Sequence, residues 1–409
     1  MCWRSTNASE MENSVRNHAD ARSNMSETIR VLHVLGGVGL GGAESRIMDL
    51  YRQMNREEIQ FDFLVHSEAM NYGHSKDTAR KPEFYDEEIT RLGGHIYVLP
   101  KFKVYNYPIY RRAVRNFFRE HHEFQVVQGH MTSTAGIYLP IAKKCGVPVT
   151  VAHSRNAGVV KGAKGIATKF FRRNLADKAD HCFACSELAG EDVFGSEAMR
   201  QGRVKIIHNA IDAGRFTYCA DKRAKVRERL GLTGKFVLGH VGRFNYQKNH
   251  PYLIDVFAKV CKTRKDAVLL LLGEGPDMEA VKAKCRQLGI EEQVRFMGNQ
   301  KQAEDYYQAM DIFLLPSFFE GLPGVLVEAQ ASGLKCFVSD TITREAEATD
   351  LVAYLSIDLP AAEWAEKICE AADYERRDTY QTMRAAGFDV ETQAEGYSLF
   401  YQKGDDSKL

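Results

Sequence analysis

Two successive runs of short apolar segments, each followed by a stretch with helical spacing, restrict this chain more than any other feature. In the first run "IRVLHVL", "FDFLVHS", "GGHIYVLP", "FQVVQGH", "VPVTVAH" and "DHCFACS" read as strands, with helical stretches between them. "AESRIMDLYRQM" is the clearest of these, because Ile47, Leu50 and Met54 fall on one side of a 3.6-residue period. A second run begins near Phe236 with "FVLGHVG" and "AVLLLLG" and continues through "VRFMGN", "IFLLPS", "KCFVSD" and "VAYLS". Strands alternating with helices imply an α/β fold in which helices cover both faces of a parallel sheet. A length of 409 residues exceeds one ordinary core. The expectation is two doubly wound, Rossmann-like domains, residues 29–205 and 206–380. Residues 206–235 carry the connection and hinge. "AEGYSLFYQKG" has helical spacing but no strand partner, so 381–409 is expected to return to the N-terminal domain as a helix. Ligand belongs at the carboxyl ends of the strands, in the cleft between the domains.

Composition excludes several classes. Lys plus Arg number 55 against 54 Asp plus Glu, which argues against a general nucleic-acid binder. No apolar run approaches the 18 residues of a membrane span. Nine cysteines read as reduced thiols and point to the cytoplasm. Cys182 and Cys185 form a C-x-x-C, but no second pair lies at zinc spacing. Residues 1–28 are polar, lack the apolar core of a signal peptide and are expected to be disordered. Met25 is then a candidate start.

The string "FFEGLPGVLVEAQASG", residues 318–333, carries two carboxylates separated by seven residues. Glu320 lies in the loop that follows the strand ending near Pro316. Pro323 and Gly324 mark a helix start. The amides of Gly324 and Val325 then point out of that start and suit an anion or a row of hydroxyls. Glu328 lies about one turn in, where the helix dipole favours its ionised form. A carboxylate there can accept two hydrogen bonds from a vicinal diol such as a ribose. The spacing fits a ligand with a sugar at each end and phosphate between. A capped helix with two surface acids fits equally well.

Two further clusters lie on the same edge. In "RFNYQKNHP" Arg243 and Lys248 flank a strand end and a helix start with Asn249 as its cap. Two cations beside a helix start suit a diphosphate, although solvated surface bases are the plainer alternative. "GGVGLGGAE", residues 36–44, places Gly41 and Gly42 where backbone amides can approach a phosphate. It also satisfies G-x-G-x-x-G at Gly37, Gly39 and Gly42, so an NAD-dependent oxidoreductase is a competing reading. That reading needs an acid at the end of the second strand. The strand ends at His66 and Ser67, with Glu68 one step late. A binding protein that keeps the fold without turnover is a third reading.

Taken together, "VGRFNYQKNH" and "PSFFEGLPGVLVEAQASGL" resemble a retaining glycosyltransferase of the GT-B fold, family GT4, in its capsular and exopolysaccharide branch. "GGAES", "AHSRN", "ACSELAGEDVFG", "HNAID" and "SDTITREA" fit that branch in the same order, and the resemblance spans about residues 29–400. It implies that Glu320 contacts the donor hexose and Glu328 the nucleotide ribose. Arg243 and Lys248 would hold the diphosphate, and Gly41 and Gly42 would close over the donor. His153 would lie near the reacting sugar. It also implies transfer of a hexose or N-acetylhexosamine from a nucleotide sugar, with UDP the usual base, and retention of configuration. Gly324 departs from the pattern, where a larger apolar residue is expected. The absence of a D-x-D string leaves Arg243, Lys248 and helix-start amides to neutralise the leaving group, so no metal is expected.

Two segments bear on the acceptor. Residues 101–119 hold Lys101, Lys103, Arg111, Arg112, Arg115 and Arg119 and no acid. Arg111, Arg115 and Arg119 recur at helical spacing, with Ile109, Ala113 and Phe117 facing elsewhere. Residues 161–178 carry six bases and one acid around Ile166, Phe170, Phe171 and Leu175. Such stretches suit an anionic membrane surface, and the family's lipid-linked acceptors agree. An ordinary solvated helix face explains them as simply.

Overall fold

The computed structural model describes residues 28–68, 80–155 and 163–409. The polar N-terminal stretch and Met25 lie outside them, Thr28 excepted.

Seven strands form the first sheet: β1 (Ile29–Val34), β2 (Ile59–Ser67), β3 (Ile96–Pro100), β4 (Phe124–Gly129), β5 (Val149–Ser154), β6 (His181–Ala184) and β7 (Val204–Ile206). Their order is β3-β2-β1-β4-β5-β6-β7, and every pair is parallel. The chain leaves β1, winds outward through β2 and β3, and returns to begin β4 on the other side. That reversal beside β1 opens a crevice at the carboxyl ends of β1 and β4. The second sheet comprises β8 (Phe236–Val241), β9 (Ala267–Leu272), β10 (Val294–Gly298), β11 (Ile312–Leu315), β12 (Lys335–Ser339) and β13 (Val352–Leu355). It runs β10-β9-β8-β11-β12-β13, again parallel, and reverses between β8 and β11.

Burial on both faces explains why these strands read as unbroken apolar runs. β9 is buried along its whole length. Val31 pairs in register with Phe61 on one side and Val126 on the other, and all three are buried. Each such side chain contributes about 1.5–3 kcal/mol relative to exposure. Ile47 and Leu50 of the helix Gly42–Gln53, and Met54 at its C-terminal cap, lie in the same core. The helix Val390–Lys403 joins it, with Val390, Ala394, Tyr397, Phe400 and Tyr401 buried against first-domain residues. This helix therefore packs on the first sheet, whereas Met383 and Phe388 just before it lie in the core that includes Val237, Leu270 and Phe313 of the second.

One strand was not anticipated, and two local expectations need correction. β7 has only three residues with Lys205 in the middle, too short for a periodic signal, yet it closes one edge of the sheet. In the helix Tyr107–Glu120 the buried stripe is Tyr110, Val114, Phe117 and Phe118. Ile109 is 62% exposed; spacings of four and three from Tyr110 place the core stripe one residue later than Ile109. Asn249 occupies the N-cap position of the helix His250–Thr263 but makes no side-chain cap. Its φ of +52° turns the backbone into the left-handed region, which Asn tolerates better than most residues. Asn245 supplies the local side-chain acceptor instead, for the Lys248 amide.

Candidate functional site

The two switch points face each other across a cleft of about 890 Å³, within the range of small-molecule sites. Glu320, Glu328, Arg243, Lys248, Gly324, Val325, Gly41 and Gly42 all line it. His153 does not.

Glu320 follows β11 in a loop bound to the β8 side. Lys248 Nζ lies 2.6 Å from Glu320 Oε1, and Gln247 Nε2 donates to Oε2 at 3.1 Å. The Phe318 amide also donates to the Gln247 carbonyl. The two loops thus act as one unit. Lys248, which the sequence places on a diphosphate, has an ammonium with further protons to offer beyond the one directed at Glu320. Arg243 is exposed in the cleft and forms no ion pair among the described residues. Close approach of the β8 and β9 loops depends on Gly273. Its φ is +122°, and a Cβ there would meet the Gly242 carbonyl oxygen at 2.2 Å. The neighbouring "GEGP" loop lines the cleft through Glu274 and Gly275, and sequence reading passed over it.

The helix Gly324–Ala331 is apolar on nearly all sides and is buried from Leu326 to Ala331. Gly324 and Val325 are its first two residues, so their amides have no intrahelical acceptor. No atom lies within 4 Å of where a Gly324 Cβ would stand, so glycine leaves open room in the cleft. Glu328 is only 8% exposed. Its Oε1 accepts from Arg46 Nη2 at 2.9 Å and its Oε2 from the Tyr307 hydroxyl at 2.8 Å. Burial raises its pKa, against the opposing pull of Arg46 and Tyr307.

The first domain contributes the opposite wall. Gly41 has extended backbone at the cap of the helix Gly42–Gln53, and that helix start faces the cleft. Arg155, at the carboxyl end of β5, lines the cleft with Asn209, to which its Nη1 donates at 2.8 Å. Behind Arg155 lies a histidine cluster. Arg155 Nε donates to His130 Nδ1 at 3.2 Å, and His130 Nε2 is 3.0 Å from His33 Nδ1. His153 is fully buried beside His130, with Gln128 2.9 Å from its Nδ1. Tyr401 of the C-terminal helix donates to Gln128 Oε1. Burial and then Arg155 depress both His130 and His153 well below the usual histidine range, so both rings are neutral at pH 7. Arg46, Arg155 and Asn209 are functional candidates that sequence reading missed. The last two lie inside "AHSRN" and "HNAID"; their signal was a polar residue just past a strand end.

The dinucleotide reading finds no support in the glycine loop. Glu83 accepts a hydrogen bond from the Val38 amide, which places a carboxylate where a pyrophosphate would lie. Glu68 sits at the surface beside Lys101 and Lys103. Among the described residues no group of three or more His, Cys, Asp or Glu is arranged to hold a metal. Cys182 and Cys185 are both free and buried.

The cleft can do one set of things well. Two cations and a helix start bind a diphosphate. A buried, oriented carboxylate binds a diol, and a second one binds another polyol. Comparison with known proteins places the chain in a family. Residues 40–215 match the family model for Glycosyltransferase Family 4, and residues 222–387 that for Glycosyl transferases group 1. EpsF of Bacillus subtilis is 35% identical over 88% of this chain and 93% of its own length. The capsular polysaccharide biosynthesis glycosyltransferase CapH of Staphylococcus aureus is 24% identical over 74% of this chain and 78% of its own. The crystal structure of Anabaena HepE in complex with UDP and glucose superposes with a TM-score of 0.70 at 17% identity, covering 92% of this chain and all of that one. The chain has the GT-B fold and belongs to glycosyltransferase family 4.

Proposed function

We propose that this glycosyltransferase moves a hexose or N-acetylhexosamine from a UDP-sugar to a hydroxyl acceptor, with retention, in exopolysaccharide or capsular polysaccharide biosynthesis. One observation carries the reading. Arg243, Lys248, Glu320, Glu328 and the first amides of the helix Gly324–Ala331 converge on one cleft opposite Gly41 and Gly42. Arg243, Lys248 and the amides of Gly324 and Val325 neutralise the departing diphosphate. Glu328 takes the ribose diol and Glu320 the donor sugar. His153 acts from beneath, fixing with Gln128 the wall that holds His130 and Arg155. Closure of the domains over Gly41 and Gly42 excludes water, since donor hydrolysis is the competing reaction. The reaction needs no metal, and loss of turnover on adding EDTA would contradict that part.

The acceptor reading rests on the outer face of the first domain. A groove of about 340 Å³ beside the helix Tyr107–Glu120 is lined by Arg111, Arg115, Arg119 and Lys144. Val104, Tyr105, Ile109, Ile166 and Phe170 stand exposed on the same segments. Among the described residues no helix is long and apolar enough to cross a membrane. This combination of bases and exposed apolar side chains fits peripheral contact with the inner, anionic membrane surface and a lipid-linked acceptor. The donor test is a thermal-shift panel of UDP, GDP, ADP and NAD. Stabilisation by one nucleoside diphosphate, lost in Arg243→Ala, is expected; stabilisation by NAD alone, unchanged in that variant, would overturn the reading.

A further inference from the structure

Glu328 is engaged from the opposite domain. Arg46 lies on the helix Gly42–Gln53, two residues past Glu44, and reaches Glu328 across 282 positions of chain. Its side chain is 9% exposed and it lines the cleft. On its own helix Arg46 Nη2 lies 3.4 Å from Asp49. Asp49 accepts from Arg52 at 2.6 Å, and Arg52 forks onto Glu88 at 2.8 Å. The guanidinium is therefore pinned by a charge network within the first domain and aimed at a carboxylate of the second. Its Nη1 is shielded from solvent and has no acceptor among the described residues.

The bonding at Glu328 is cooperative rather than blocking. Arg46 uses one acceptor position on Oε1 and Tyr307 one on Oε2. Each carboxylate oxygen retains another, so a diol can bind while both protein donors stay. Asp49 and Arg215 are the other charged groups near Glu328. Arg215 is itself paired with Glu304 at 2.8 Å, which leaves Arg46 as the cation that fixes the orientation. A shielded arginine N–H without an acceptor is uncommon in a finished site, and a ligand oxygen would supply what is missing.

We propose that Arg46 is the positioning residue for the donor ribose. The first domain completes a ribose site whose reading carboxylate belongs to the second. This rests on the assignment of Glu328 to the ribose. It makes nucleotide recognition depend on domain apposition, so that nucleotide binding and closure favour each other. A plain interdomain tether would instead weaken every nucleotide alike.

The test compares calorimetric dissociation constants for UDP, 2′-deoxy-UDP and 3′-deoxy-UDP on the full chain. Wild type is expected to prefer UDP over a deoxy analogue by on the order of tenfold or more, the worth of one hydrogen bond to a charged group. Arg46→Ala loses most of that ratio, and Arg46→Lys, which keeps the charge, retains part of it. Equal weakening of UDP and the deoxy analogues in Arg46→Ala would make Arg46 a tether and overturn the proposal. Should Arg46→Ala not fold, Arg46→Lys decides: a reduced ratio supports the proposal and a wild-type ratio refutes it. Glu328→Gln separates the two levels of inference. Wild-type discrimination in that variant would show that Glu328 does not read the ribose, and the underlying assignment would fail first.

Discussion

Arg243→Ala isolates the diphosphate site from the stability of the fold. Arg243 is exposed in the cleft and unpaired among the described residues, so its loss breaks no native ion pair. Exposed substitutions of this kind change stability by about 0.5 kcal/mol or less. In the complex its guanidinium would give charge-assisted hydrogen bonds to phosphate oxygens, worth about 1.5–3 kcal/mol each. At about 1.4 kcal/mol per factor of ten, one such bond corresponds to a roughly 10- to 150-fold rise in the dissociation constant for UDP. Isothermal titration calorimetry with UDP reads the affinity, and urea unfolding of the free protein reads the stability. The expected result is a large loss of affinity with an unchanged unfolding midpoint. Lys248→Ala should differ by lowering both, because it also strips Glu320 of its partner at 2.6 Å. Unchanged UDP affinity in Arg243→Ala would refute the placement of the diphosphate.

Three further outcomes follow from the same structure. Burial lowers His33 to about 3 and His250 to about 4, and also holds His130, His153 and His240 well below their ordinary value. Depressed folded values mean that the stability these rings contribute is complete above their unfolded pKa of about 6.5 and is lost as pH falls below it, by up to about 1.4 kcal/mol per unit for each ring. Urea unfolding at pH 7 and pH 5 should show a marked fall that is shallower in His33→Gln; equal stability at both would contradict the buried neutral cluster. Gly324→Ala meets nothing within 4 Å and requires no positive φ, so it should stabilise by about 0.4–1 kcal/mol, and destabilisation on urea unfolding would show that the site is more crowded than described. Sedimentation with anionic vesicles at low salt should retain the protein and release it at high salt; a wild-type chain that stays in the supernatant at low salt would end the membrane reading.

Most of the strand skeleton was legible because two-sided burial writes each strand as a short apolar run between turn signals. The cleft residues of the second domain were legible for a related reason. Arg243 and Glu320 follow strand ends within a few positions, and Gly324, Val325 and Glu328 open the next helix, where glycine, proline and charge interrupt an otherwise apolar pattern. Arg46 was not, because it sits inside a helix beside its core-facing residues and far from any strand end, and its partner lies 282 positions away. The short β7 carried too few residues to declare a period. Ile109 shows that spacing alone fixes a helical stripe only to within one position, since the stripe also depends on which neighbours supply a floor. The cap at Asn249 failed because residue preference names the position, while the backbone angle decides where the side chain points.

The account stands most directly on turnover. The chain would be incubated with UDP-glucose, UDP-galactose, UDP-N-acetylglucosamine or GDP-mannose and a bacterial lipid extract. Proton and phosphorus NMR would follow the products. The account predicts release of UDP from one UDP-sugar, with a new glycoside of the same anomeric configuration as the donor, and much slower formation of both by Arg243→Ala at the same donor concentration. A new glycoside of inverted configuration, or no nucleoside diphosphate released from any donor while the protein binds NAD, would contradict it.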